Sequence, residues 1–159
     1  MRATLLSLTA ALVLGAGGAA FAMGNSDTPS PAAATVDPNY TKAKTMIEAK
    51  DYKGALPLLQ QVVAKNPKNA DAYNLMGYAT RKSGDANGSL QYYTTALQID
   101  PKHLGAHEYI GEAYLMLDRP QEAQQHLARL DSLCLFGCTE YRMLKTAIAN
   151  YKAGRKPTN

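Results

Sequence analysis

Apolar residues return along this chain in a fixed stride. From residue 139 to 153, Tyr141, Leu144, Ile148 and Tyr151 recur at spacings of three and four, which lays them on one stripe of a helix. Arg142, Lys145, Asn150 and Lys152 supply the polar side. Upstream, a similar alternation repeats every 34 residues. Ala43, Gly77 and Gly111 share one column, and Ala55, Ser89 and Ala123 a second. Leu59, Tyr93 and Leu127 form a third, and Val62, Ala96 and Leu130 a fourth. Asn66-Pro67 and Asp100-Pro101 close two copies, and Cys134-Leu135 stands in their place in the last. The middle copy divides into helical stretches over 70–83 and 86–99, parted by Gly84-Asp85.

The packing logic follows from residue size. Gly77 and Gly111 let a neighbouring helix approach closely, and Tyr93 and Leu127 fill the space beside them. The prolines stop helices, since proline cannot donate and restricts the residue before it. Pro57 is expected near the first turn of its helix, where proline is tolerated. One helix pair cannot bury its apolar face alone, so the copies must stack. The predicted fold is all-α. Three helix pairs occupy 37–137, in copies of about 36–69, 70–103 and 104–137, with a capping helix over 138–154 and a tail at 155–159. Thr139 is the expected N-cap of that last helix, with Glu140 in its first turn.

The start of the chain breaks the pattern. Arg2 is the only charge before Asp27, and Leu5, Leu6, Leu8, Leu12, Val13 and Leu14 form a greasy run. Ala20-Phe21-Ala22 has the small-x-small form of a signal-peptidase site, so residues 1–22 are expected to be a cleaved signal peptide. The competing reading is a retained anchor, which Gly15, Gly17 and Gly18 weaken. Residues 23–36 carry two prolines and small polar residues without period, and are expected to be a flexible linker. The expectation is export to the periplasm, with no membrane contact after cleavage.

Composition narrows the functions. Of 159 residues 46% are hydrophobic, enough for a core, and the formal charge is +4. No Lys/Arg run exceeds two residues, so no nucleic-acid partner is expected. Two cysteines cannot make a disulfide-dense scaffold.

The repeat resembles the tetratricopeptide repeat. The second copy reads Tyr73-x2-Met76-Gly77, then Ser89-x3-Tyr93 and Pro101. The third reads His107-x2-Ile110-Gly111-x2-Tyr114, then Ala123-x3-Leu127, while the first is degenerate at Asn39, Lys42, Ala43 and Met46. The resemblance implies an α-solenoid of three units plus the cap, with the first helix of each pair lining a concave groove. Matching columns are Tyr40, Asn74 and Glu108; Lys44, Tyr78 and Glu112; Ile47, Arg81 and Leu115; and Glu48, Lys82 and Met116. The candidate groove residues are Tyr40, Lys44, Asn74, Tyr78, Arg81, Lys82, Glu108 and Glu112. Charge would run from basic in the early copies to acidic in the third. These side chains are read as solvent-facing, so truncating Arg81 and Lys82 should weaken partner capture and cost little stability. The Lys/Asn clamp with which chaperone-binding members hold a terminal carboxylate is not made, since only Lys44 is basic among Tyr40, Lys44, Leu75, Gly105 and Tyr109.

Little else carries chemistry. Cys134 and Cys138 flank a turn where the chain must redirect into the cap. A structural disulfide, free thiols and a redox or metal role are all open, with the bridge favoured by an oxidising compartment. His103 and His107 have helical metal-ligand spacing, but His107 falls in a packing column and His103 in the connection after Pro101. His126 is expected alone at the surface. No nucleophile elbow, phosphate loop or acidic pair is present, so no catalytic residue, cofactor or metal is expected. The expected function is a non-enzymatic interaction scaffold of the cell envelope that binds a protein segment in its groove. The alternative is a protomer of an oligomeric assembly or, further off, a redox or metal carrier.

Overall fold

A computed structural model describes residues 37–158, so the expected leader and the 23–36 linker lie outside the described residues. The helices are α1 Pro38–Glu48, α2 Tyr52–Lys65, α3 Ala70–Lys82, α4 Ala86–Ile99, α5 Leu104–Met116, α6 Pro120–Leu133 and α7 Thr139–Lys152. Each odd helix pairs with the next, each pair lies against its neighbour, and α7 packs on both α5 and α6. The described residues contain no strand. The 34-residue stride thus becomes three helix pairs and a closing helix.

The helix starts are written in the columns. Asp51 and Asp85 accept from the amides of Gly54 and Gly88 at 3.0 and 2.7 Å. Asn69 and His103 do the same for Ala72 and Ala106 at 2.9 and 3.1 Å. Each satisfies a backbone donor that the helix itself leaves orphaned. Arg119 occupies the same column and caps nothing; Pro120 follows at the first helical position and removes a donor instead. In α7 the N-cap is Cys138 rather than Thr139. Pro57 lies five residues after Tyr52, inside α2 rather than in its first turn, and therefore removes one internal hydrogen bond.

One column sets the turn within each pair. Lys50, Gly84 and Asp118 all adopt positive φ, at 63°, 103° and 58°. Only glycine reaches this region without cost, and a side chain there is destabilising by roughly 1 kcal/mol.

The buried apolar residues gather in three clusters from the first pair to α7. Ala43, Ala55, Leu59, Val62, Ala72 and Met76 join α1, α2 and α3. Tyr93, Ile110 and Ala113 join α4 to α5, and Leu115, Ala123, Leu130, Leu144 and Ile148 bind α7 to the third pair. A Cβ on Gly77 would come within 2.6 Å of the Tyr93 ring, so this glycine is a contact surface for that ring. At Gly111 the neighbour is Leu144 of α7, also at 2.6 Å, and not the expected Leu127, which is only half-buried. The leucine is too short to reproduce the tyrosine, and the last helix fills the space. Cys134 and Cys138 are joined by a disulfide that closes the connection between α6 and α7, with Cα atoms 5.5 Å apart. So short a loop contributes about 2 kcal/mol in the chain-entropy account.

Candidate protein-binding surface

The face built by α1, α3 and α5 is organised around Arg81, whose side chain is 3% exposed. Its Nη2 lies 2.8 Å from Glu112 Oε2, and its Nε donates to the Tyr93 hydroxyl at 3.4 Å. The guanidinium sits 5.5 Å from the centroid of Tyr78 and 5.7 Å from that of Tyr109. Those two rings are 5.0 Å apart, with Tyr52 6.1 Å from Tyr78 and Tyr93 6.2 Å from Tyr109. Cation–π and tilted ring contacts of this kind add to the plain burial of the rings. Burial pushes the Tyr109 phenol up to about 12 and raises that of Tyr78, so both of these rings are neutral at physiological pH. Arg81 is therefore a rivet of the surface. The expectation that it is solvent-facing and removable at little cost is corrected: a buried charge stripped of its partner costs about 3–5 kcal/mol.

The third copy differs from its expected acidic character for a similar reason. Glu108 is 3% exposed and its Oε1 has no hydrogen-bond partner. Burial first, and the neighbouring Glu112 charge second, push its carboxyl up to about 8, so it is mostly uncharged at neutral pH. Asn74 is 7% exposed with its Oδ1 also unpartnered. With Glu112 neutralised by Arg81, the expected acidic end of the groove vanishes. Of the expected residues, Tyr78, Arg81 and Glu112 are brought together in one cluster. Tyr40 is half-buried against the first core cluster, Lys44 is exposed, and Lys82 is half-buried.

A cavity of about 350 Å³ opens on this face. Its floor is Ile47, Tyr52, Leu75, Tyr78 and Tyr109, and Lys44, Glu48 and Lys50 stand around it. The columns missed Tyr109, Tyr52 and Lys50. Tyr109 shares a column with Leu75, a signal that was present. Lys50 belongs to the turn and Tyr52 is the first residue of α2, so both lie off the first helix that the resemblance singled out. A second cavity of about 480 Å³ lies beside Glu112, between Met143 and Asn150 of α7 and Arg155–Pro157 of the tail. The tail turns back at Gly154, and Lys156 pairs with Asp118 while Lys82 Nζ donates to the Thr158 carbonyl at 3.5 Å.

The histidines are committed to structure. His103 accepts from the Ala106 amide through Nδ1 and so donates through Nε2 to Asp71 at 3.0 Å. His107 Nε2 donates to the Pro101 carbonyl at 3.2 Å, which leaves its Nδ1 to accept from His126 Nδ1 at 2.8 Å. His126 is thus the partner of His107 and not an isolated surface residue. Burial pulls its pKa down to about 4. Among the described residues no three His, Cys, Asp or Glu side chains converge as a metal site would require.

Two family profiles, both described as tetratricopeptide repeat, match residues 40–103 and 80–148. Among solved structures, MamA from Desulfovibrio magneticus RS-1 is 29% identical, with a TM-score of 0.58 over 60% of this chain and 54% of that one. The TPR domain of Arabidopsis OM64 is similar in fold alone: 19% identical, with a TM-score of 0.64 over 71% of this chain and 93% of that one. Among curated proteins, the human Protein O-mannosyl-transferase TMTC3 is 28% identical over 90 residues, 57% of this chain and 10% of that protein. The Drosophila melanogaster Tmtc3 is 30% identical over 83 residues, 52% of this chain and 9% of that protein. The chain therefore spans about a tenth of the length of these curated relatives.

Proposed function

Because the chain is an all-α tetratricopeptide-repeat fold, we propose that it is a non-enzymatic scaffold that binds a segment of another protein on the face of α1, α3 and α5. The observation that carries this is the 350 Å³ cavity floored by three tyrosines, two of which, Tyr78 and Tyr109, lie against the Arg81 guanidinium that Glu112 holds. Rigid, amphipathic rings give contact area at small entropic cost on binding. Likeness to the MamA chains and to the OM64 repeat domain supports the repeat fold on which this reading stands. The transferase activity named for the TMTC3 proteins belongs to chains of which the match covers about a tenth, and no part of it is carried over. The test is a photo-crosslinker placed at Lys44 or, as control, at exposed Gln60 on α2. Products confined to Lys44 are expected; equal yields from both positions refute the groove.

A second reading, a protomer of an oligomeric assembly, has an observation of its own. Leu135 and Phe136, on the disulfide-closed loop, are 87% and 100% exposed. Apolar side chains offered so openly are a feature of contact surfaces. On this reading, light scattering shows a mass that grows with concentration and returns to monomer in Phe136→Ser. A monomer at all concentrations dismisses it. The disulfide suits an oxidising compartment, which supports export and an envelope location. Mass spectrometry of exported protein should then find a chain beginning at Met23.

A further inference from the structure

The scaffold reading leaves the chemistry of the guest open, and the cations around the tyrosine cavity narrow it. Lys44 and Lys50 border the cavity, and among the described residues neither forms an ion pair. Lys82, one turn on from Tyr78, reaches only the Thr158 carbonyl. Its pKa is pulled down by burial first and then by the Arg81 charge, with Glu112 opposing and Lys50 adding to the fall. Glu48 is the one acidic side chain at the cavity.

Lys50 adds an independent observation. It holds positive φ in the column where the second copy has Gly84. Asp118, the third member, uses the same conformation to bind Tyr151 and Lys156. The Lys50 ammonium has no hydrogen-bond or ion-pair partner among the described residues, and the residue lines the cavity together with Tyr52. A conformation that favours glycine, occupied by a cation with nothing in the fold to bind, is a reason to look outside the fold. Lys82 stands outside the cavity's lining, and its contact with the Thr158 carbonyl shows that its ammonium can take an oxygen carried by an extended chain.

We propose that this cavity recognises an internal acidic segment of a partner protein, with an aromatic or large apolar side chain seated among Tyr52, Tyr78 and Tyr109 and flanking carboxylates held by Lys44, Lys50 and Lys82. The cavity, at about 350 Å³, is at the small end of ligand sites, which fits one anchoring side chain and not a whole helix. The lysines then supply orientation and speed of encounter, and the ring stack supplies the anchor. A terminal carboxylate is not required. This rests on the scaffold reading and makes it specific.

The test uses the full chain and two fluorescent octapeptides, acetylated and amidated so that neither carries a terminal charge. One has a Phe-Leu pair between Glu and Asp residues; the other has the same pair between Lys and Arg. The acidic peptide should bind, and its affinity should fall with added salt. Lys50→Gly should weaken it about three- to fivefold, as an exposed charge pair does. The same change should raise the thermal midpoint, because glycine relieves the strained turn; a loss of binding with a gain of stability is not what misfolding produces. Lys82→Gln should weaken binding similarly, and Tyr78→Leu should weaken both peptides. Preference for the basic peptide, still lost in Tyr78→Leu, overturns the acidic assignment and leaves the groove standing. Undiminished binding in Lys50→Gly and Lys82→Gln overturns it as well. Sedimentation with phosphatidylserine vesicles in place of peptide binding assigns the lysines to a lipid surface and overturns it. Absence of binding by either peptide overturns both this proposal and the scaffold reading.

Discussion

Glu108 offers the sharpest test of the buried face. Its carboxyl is shut away with one oxygen unpartnered, and the environment raises its pKa from an ordinary 4.5 to about 8. A raised acid binds its proton more tightly in the folded state. Its favourable contribution is complete below pH 4.5 and is lost as pH climbs through about 8. Each unit in that window is worth about 1.4 kcal/mol, so between the two limits the folded state loses on the order of 3–5 kcal/mol to this one group. Glu108→Gln keeps the shape and removes the titration. In urea unfolding followed by far-UV circular dichroism, the variant should gain about 3 kcal/mol relative to the parent at pH 8 compared with pH 4.5. Other titrating groups, including His126, are common to both chains and cancel in the difference. The argument about this buried carboxyl fails if the stability gap between the two proteins is the same at both pH values.

The remaining predictions address packing and charge elsewhere. Arg81→Met should cost about 3–5 kcal/mol by leaving Glu112 unpaired, and adding Glu112→Leu should recover most of that loss; urea titration of the single and double variants checks both. Gly77→Ala should destabilise by about 1–3 kcal/mol, because the new methyl meets the fully buried Tyr93 ring. Gly111→Ala should cost less, since it meets the branched end of Leu144 rather than a rigid ring, and melting curves rank the pair. His126, with its pKa lowered from 6.5 to about 4, contributes stability that is whole above pH 6.5 and is lost as pH falls toward 4. His126→Gln should flatten that stretch of the stability–pH curve by about 1–2 kcal/mol after allowance for its partial exposure.

The helices were legible because a strict period averages out local noise. The stretches expected over 70–83 and 86–99 became Ala70–Lys82 and Ala86–Ile99, since Asn69 and Asp85 begin them and Ser83-Gly84 ends the first. The closing helix was legible from Leu144 and Ile148, which are both buried. The site was read less well. Arg81 and Glu112 lie 31 residues apart, in adjacent copies, so their bond crosses between repeats. A column comparison sets each copy beside its equivalents and does not ask which unlike positions touch. For the same reason Glu108 looked like a surface acid when the packing of α5 had taken it from water. His126 looked solitary because its partner is on the other helix of its pair. Gly111 was matched with Leu127 by translation, although the chain end breaks the translation and brings Leu144 instead.

The last helix also decides what the stack presents at its end. α7 turns Leu144 and Ile148 inward and leaves Arg142, Lys145 and Lys152 in water, so no further hairpin can lie against its outer side without desolvating three cations. Among the described residues the stack of hairpins thus finishes on a charged face, and a neighbour laid there would first have to strip water from it.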